Sequence, residues 1–209
     1  MVEVDVHRSL DGALVLAHDD ALGKPGDRLL IATTPIAELR AIDVGGEPPP
    51  LLSEALQVLK GRSGVLIDLK LSAGCEDELV ATVRHSRMRE VMFCGGDLAS
   101  LLRIRSLAPD IALSWTLSPR QPFTAVRIPV VPTEWATIDH RALAVSSLQA
   151  FRQRGVRVLA WTVDSPSRVE QLVAWGVDGI TSNDPAMVAR VATTRVATPP
   201  PSAGEETIS

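Results

Sequence analysis

The sequence contains no stretch of the ~18 consecutive apolar residues that a membrane-spanning helix needs, so no transmembrane segment is expected. It also lacks a surplus of positive charge. Its 25 acidic residues outnumber its 21 lysines and arginines, for a net charge of -4, which argues against nucleic acid or an anionic membrane as partner. Cysteine is scarce: Cys75 and Cys94 have neither a CxxC spacing nor a local histidine companion. They read as reduced thiols of a cytoplasmic protein, with a disulfide left open by spacing alone. An acid at the third position and no apolar leader argue against a signal peptide. No GxGxxG follows any apolar run, which weakens a dinucleotide-binding sheet.

What is present is alternation. Short β-branched runs at 2–6, 64–70, 90–94, 110–117, 125–131, 156–163 and 178–181 predict strands. Stretches at 51–61, 75–86, 97–109, 144–155 and 167–176 carry the three-and-four spacing of helices. Ser53 is placed to open the first of these helices, while Gly61, Gly155 and Gly176 fall where helices should end. The repeated exchange of strand and helix predicts a parallel sheet with crossover helices. Periodicity leaves an open doubly wound sheet and an eight-stranded barrel equally open. The domain is expected over 1–192. A disordered tail is expected over 193–209, where the sequence turns polar, proline-rich and aperiodic.

The chemistry concentrates at the start, in VEVDVHRSLDGALVLAHDDAL. Successive strand side chains point to opposite faces, so Glu3 and Asp5 share one face and Val2, Val4 and Val6 the other. In GVLIDLK, Asp68 and Lys70 likewise share a face opposite Ile67 and Leu69. Inward-facing residues near the C-terminal ends of barrel strands line the active site of that fold. Three carboxylates brought together there would repel unless a cation sits among them. An all-oxygen set favours magnesium, calcium or manganese over zinc. A single acid near a strand end is more often a solvated rim residue, but paired acids on two strands favour a site.

The order of these motifs resembles the glycerophosphodiester phosphodiesterase family. VEVDVHRSLDGALVLAHDDAL is similar to its E-x-D strand followed by a D-G turn and V-x-x-H-D. PPPLLSEAL is similar to its proline-leucine-x-glutamate helix start, and VLIDLK to its E-x-K strand. VRVLAWTVDSP and WGVDGITSNDP are similar to its tryptophan-threonine-valine strand and closing G-V-D-G-I turn. The resemblance covers about residues 2–191. It implies an α/β fold, a TIM-type (β/α) barrel, and metal-dependent hydrolysis of glycerophosphodiesters to glycerol 3-phosphate and an alcohol. Residue by residue, it makes Glu3, Asp5 and Asp68 ligands of a divalent cation, Mg2+ or Ca2+. It makes His18 a catalytic acid for the leaving alcohol, Lys70 the cation beside the phosphate, and Trp161 an aromatic bordering the substrate. A barrel phospholipase acting on choline lipids would share this metal and histidine logic.

The pattern also departs from the family. The H-R-G motif, which lies upstream of E-x-D on the preceding strand, is not in this chain, so the barrel is expected to lack its first strand. His7-Arg8 does not stand in the place of that motif, and His85 and His140 read as solvated or structural. Asp68 is one methylene shorter than the usual glutamate, CGG at 94–96 trims one wall, and SND at 182–184 replaces threonine–aspartate. Two expectations follow. One is a catalytically silent barrel that binds a phosphodiester or a protein, as the alternative to an enzyme. The other is self-association through the gap between VEVDV and DGIT.

Overall fold

A computed structural model of the chain describes residues 1–70, 74–117 and 133–196. The N-terminal third holds β1 (Val2–Arg8), β2 (Leu14–Leu16), β3 (Ala21–Leu22), β4 (Leu29–Leu30), α1 (Ile36–Leu39) and α2 (Leu52–Leu59). Then come β5 (Val65–Leu69), α3 (Glu76–Ser86), β6 (Val91–Gly95), α4 (Leu98–Leu107) and β7 (Ala112–Leu117). The last part contains β8 (Trp135–Asp139), α5 (Val145–Arg152), β9 (Arg157–Trp161), α6 (Pro166–Trp175), β10 (Gly179–Ile180) and α7 (Pro185–Val196).

One sheet runs in the order β10-β9-β8-β7-β6-β5-β1-β2. Its ladders from β1 through β5 to β10 are all parallel, and β2 folds back antiparallel on Val6–Arg8 of β1. The sheet curls: Glu3 on β1 and Thr181, just past β10, line the same cavity. Among the described residues, helices pack on the outer face alone. Val6, Ile67, Phe93 and Leu113 meet Leu56 of α2, Leu79 of α3 and Ile104 of α4. Farther round, Ile138, Val158 and Ala160 meet Phe151 of α5, Leu172 of α6 and Met187 of α7. The inner face is floored by Leu66, Met92 and Cys94, with Ala112, Trp135 and Leu159 against them. A doubly wound sheet would carry helices on both faces, so the fold is a TIM-type (β/α) barrel. Among the described residues no ladder joins β10 to β1, and the barrel is open along that seam.

Local chemistry sets the boundaries. α2 begins at Leu52 rather than at Ser53, because the Glu54 carboxylate accepts a 2.8 Å hydrogen bond from the Leu51 N–H. Asp97 caps α4 by accepting from the N–H groups of Ala99 and Ser100. Gly176 ends α6 at φ 80°, a left-handed conformation that suits glycine.

The strand expected at 125–131 lies outside the described residues. The position between β7 and β9 is filled by β8, WATID, which periodicity had not singled out. α7 continues to Val196, past the expected start of the tail, and residues 197–209 lie outside the described set. Both cysteines are buried free thiols. No helix among the described residues is long and apolar enough to cross a membrane.

Candidate active site

The β1–β5 register sets Asp5 directly beside Asp68, and the two-residue alternation turns Glu3 to the same inner face. Glu3, Asp5 and Asp68 each offer a carboxylate oxygen, and these oxygens lie within 4.8 Å of one another. Lys70, just past β5, spans the group: its Nζ is 3.0 Å from Asp5 Oδ1 and 2.5 Å from Asp68 Oδ2. Cys94 on β6 approaches the other side of Asp68, with Sγ 3.5 Å from Oδ1.

The electrostatics follow from this crowding. Burial, and then the charges of Asp5 and Asp68, push the Glu3 carboxyl up to about 7. Burial alone would lower Lys70, but its bonds to Asp68 and Asp5 outweigh that and hold it above the usual lysine range. Burial, reinforced by the charge of Asp68, raises the Cys94 thiol, so it stands as a neutral donor. One ammonium therefore faces three carboxylate positions. The donors are all oxygen, they converge, and they carry surplus negative charge, so the set fits a hard divalent cation.

His18 arrives on the loop after β2. Its side chain is 85% exposed, and Nδ1 lies 2.9 Å from Asp19 Oδ1. Asp19 in turn accepts from Arg28 Nη2 at 2.8 Å. With Nδ1–H donating to Asp19, Nε2 is the ring nitrogen left free on a residue that lines the cavity. Sequence reading missed Asp19 and Arg28 as orienting groups, although the run His18-Asp19-Asp20 was the available signal. His7 shares the inner face of β1, but its Nε2 is buried without a hydrogen-bond partner and it does not line the cavity.

All six residues expected from the sequence, Glu3, Asp5, His18, Asp68, Lys70 and Trp161, line one cavity of about 180 Å³. Trp161 closes β9, and its indole N–H is buried without a partner in the protein. Buried donors of that kind are uncommon unless something outside the protein satisfies them. His85 is exposed on α3, and His140 stands in a short 3-10 turn, where Arg168 Nε donates to its Nδ1 at 3.2 Å.

Known proteins resemble the chain along nearly its whole length. A glycerophosphodiester phosphodiesterase of Bacillus subtilis is 22% identical, covering 91% of this chain and 75% of that protein. The enzyme of the same name from Caldanaerobacter subterraneus is 24% identical, covering 88% and 82%. Among solved structures, a phosphodiesterase of Oleispira antarctica, in complex with the product sn-glycerol-3-phosphate, superposes with a TM-score of 0.81 at 26% identity. That match covers 92% of this chain and 84% of the other. A glycerophosphodiester phosphodiesterase of Agrobacterium tumefaciens gives a TM-score of 0.74 at 24% identity, covering 90% and 85%. The sequence model of the glycerophosphoryl diester phosphodiesterase family matches residues 1–187, a span that holds every residue of the cavity, and the chain belongs to that family.

Proposed function

We propose that this chain hydrolyses glycerophosphodiesters to glycerol 3-phosphate and an alcohol, with a divalent cation held by Glu3, Asp5 and Asp68. The observation that carries the reading is the charge imbalance: three carboxyl groups converge, and Lys70, the one lysine or arginine lining the cavity, bonds two of them, Asp5 and Asp68. An anionic diester would be repelled from such a pocket without a further cation. Bound there, magnesium or calcium supplies neutralisation of phosphate oxygens as charge develops on them. Lys70 adds a cation from the protein itself at the same edge of the cavity. Trp161 borders the substrate and offers its unpartnered N–H.

Hydrolysis breaks the phosphorus–oxygen bond to the alcohol; water supplies hydroxyl to phosphorus and a proton to the departing oxygen. His18, held in position by Asp19, relays that proton: Nε2–H passes to the departing oxygen and the proton released by water restores it. Release of glycerol 3-phosphate from glycerophosphocholine and glycerophosphoethanolamine, with magnesium, calcium or a chelator, tests the reading. Metal-dependent release is the expected result; no release with any divalent ion contradicts it. Binding of the diester without turnover would instead favour a non-catalytic barrel. One observation speaks for that second reading: His7 is buried and does not line the cavity, which leaves His18 as the one histidine among the cavity's lining residues.

The open seam supports self-association. Val2–Val4 of β1 pair with β5 on one side only among the described residues, and Val2 is 42% exposed. An unpaired strand edge is a template for another chain. Size-exclusion chromatography with light scattering should therefore find more than one chain per particle. A clean monomer with a sharp thermal melt contradicts this. The buried free thiols support a cytoplasmic setting.

A further inference from the structure

At the opposite end of the barrel, the loops that lead into β5 and β6 enclose a second cavity. Its volume is about 490 Å³, and Lys60, Arg62, Arg87, Arg89 and Glu90 supply its charged lining. These loops lie next to each other because β5 and β6 are parallel neighbours, joined from Val65↔Val91 onward.

Elsewhere the chain pairs its cations. Arg8 binds Glu78, Arg40 binds Glu54, Arg84 binds Asp110, Arg103 binds Asp77 and Arg105 binds Glu134. Among the described side chains, the lysines and arginines with no hydrogen bond, ion pair or ring contact are Lys24, Lys60, Arg62, Arg87 and Arg89. All of these except Lys24 line the one cavity. In a protein with more acids than bases, random scatter of surface charge would not leave the free cations in one place. Arg87 also stands at φ 58°, the one left-handed non-glycine residue among those described, at the end of α3 where glycine is the usual choice. Glu90 is the single carboxylate of the lining, so the cavity keeps a clear positive surplus.

We propose that this cavity is an anion site, separate from the catalytic pocket, that takes a phosphate group. Guanidinium forks match phosphate oxygens two at a time, and the Lys60 ammonium adds a point charge without directional demand. The cavity exceeds the size of a bare phosphate, leaving room for the group that bears it. That group is either a soluble phosphorylated molecule or the headgroup of an anionic phospholipid. The site does not depend on the hydrolytic reading of the other end.

The test compares the full chain with Arg62→Ala/Arg89→Ala, using calorimetric titration of pyrophosphate. Both proteins keep the catalytic pocket, so the difference between them reports the second cavity. The expected result is an additional, salt-sensitive binding event in the parent, weakened on the order of ten-fold for each guanidinium removed, with hydrolysis unchanged. Arg87→Gly provides a second variant that suits the left-handed backbone and should weaken binding while keeping the fold. Co-sedimentation with vesicles of phosphatidylcholine alone, or with added phosphatidylglycerol, separates the sources. Pyrophosphate binding without sedimentation identifies a soluble ligand. Sedimentation only with the anionic vesicles, lost in the double variant, identifies a headgroup. Equal pyrophosphate binding by parent and variants, or no binding to either probe, overturns the proposal.

Discussion

Replacing His18 with asparagine should lower kcat on a glycerophosphodiester with an ordinary alkyl alcohol by ~10²–10⁴-fold, leaving the fold intact. The side chain is 85% exposed, so its loss removes little packing. What is lost is the proton for an alkoxide, which leaves poorly near neutral pH. The effect should therefore depend on the leaving group. A diester of glycerol 3-phosphate with p-nitrophenol, whose oxygen departs without help, should lose far less activity in His18→Asn. Equal losses on both substrates would show that His18 positions the substrate and is not the acid. Asp19→Asn should give a smaller drop of the same leaving-group-dependent kind, since Asp19 acts only by holding Nδ1 at 2.9 Å.

The second large effect belongs to Asp5→Asn, which should abolish detectable binding of magnesium and calcium in a calorimetric titration. Asp5 stands between Glu3 on its own strand and Asp68 across the ladder, and it shares Lys70 with Asp68. Its neutral amide removes one anionic ligand and weakens the convergence that draws an ion into the pocket. The parent protein should also show a pH dependence of set sign. Without the ion, the Glu3 carboxyl is raised to about 7 by burial and by its acidic neighbours. A metal must displace that proton to use Glu3. Apparent affinity should therefore fall as pH drops below about 7, approaching ten-fold per pH unit, and level off above it. In Glu3→Gln this dependence near neutral pH should vanish. Identical binding heats for the parent and Asp5→Asn at pH 8 would remove these acids from the metal site.

The parts of the molecule governed by short periods were legible in the sequence. Alternation alone placed Glu3 and Asp5 together and Asp68 with Lys70, and the fold brings all of them to one cavity. Helices α2 to α5 fall within the stretches that three-and-four spacing marked, and α6 starts one residue ahead of its stretch, because each buries an apolar stripe on the sheet. β8 was harder to read. WATID is short, and its inner face carries Trp135, Thr137 and Asp139, so the apolar run at 125–131 gave the stronger signal. α7 was missed because valine and threonine fill its later turns and dilute the helical pattern.

The orienting pair Asp19–Arg28 depends on a loop closing over nine residues, a contact that no period encodes. The second cavity is invisible for the same reason. Lys60 and Arg62 meet Arg87 and Arg89 only after β5 and β6 lie side by side.

The central claim is that Glu3, Asp5 and Asp68 hold a divalent ion with the substrate phosphate against it and against Lys70. Crystals grown with manganese and sn-glycerol 3-phosphate, measured for anomalous scattering, test it most directly. The account predicts one strong peak about 2.0–2.6 Å from oxygens of all three carboxylates, with the phosphate between that peak and Lys70. An anomalous peak elsewhere, or a phosphate bound in this cavity with no ion among the three acids, would contradict it.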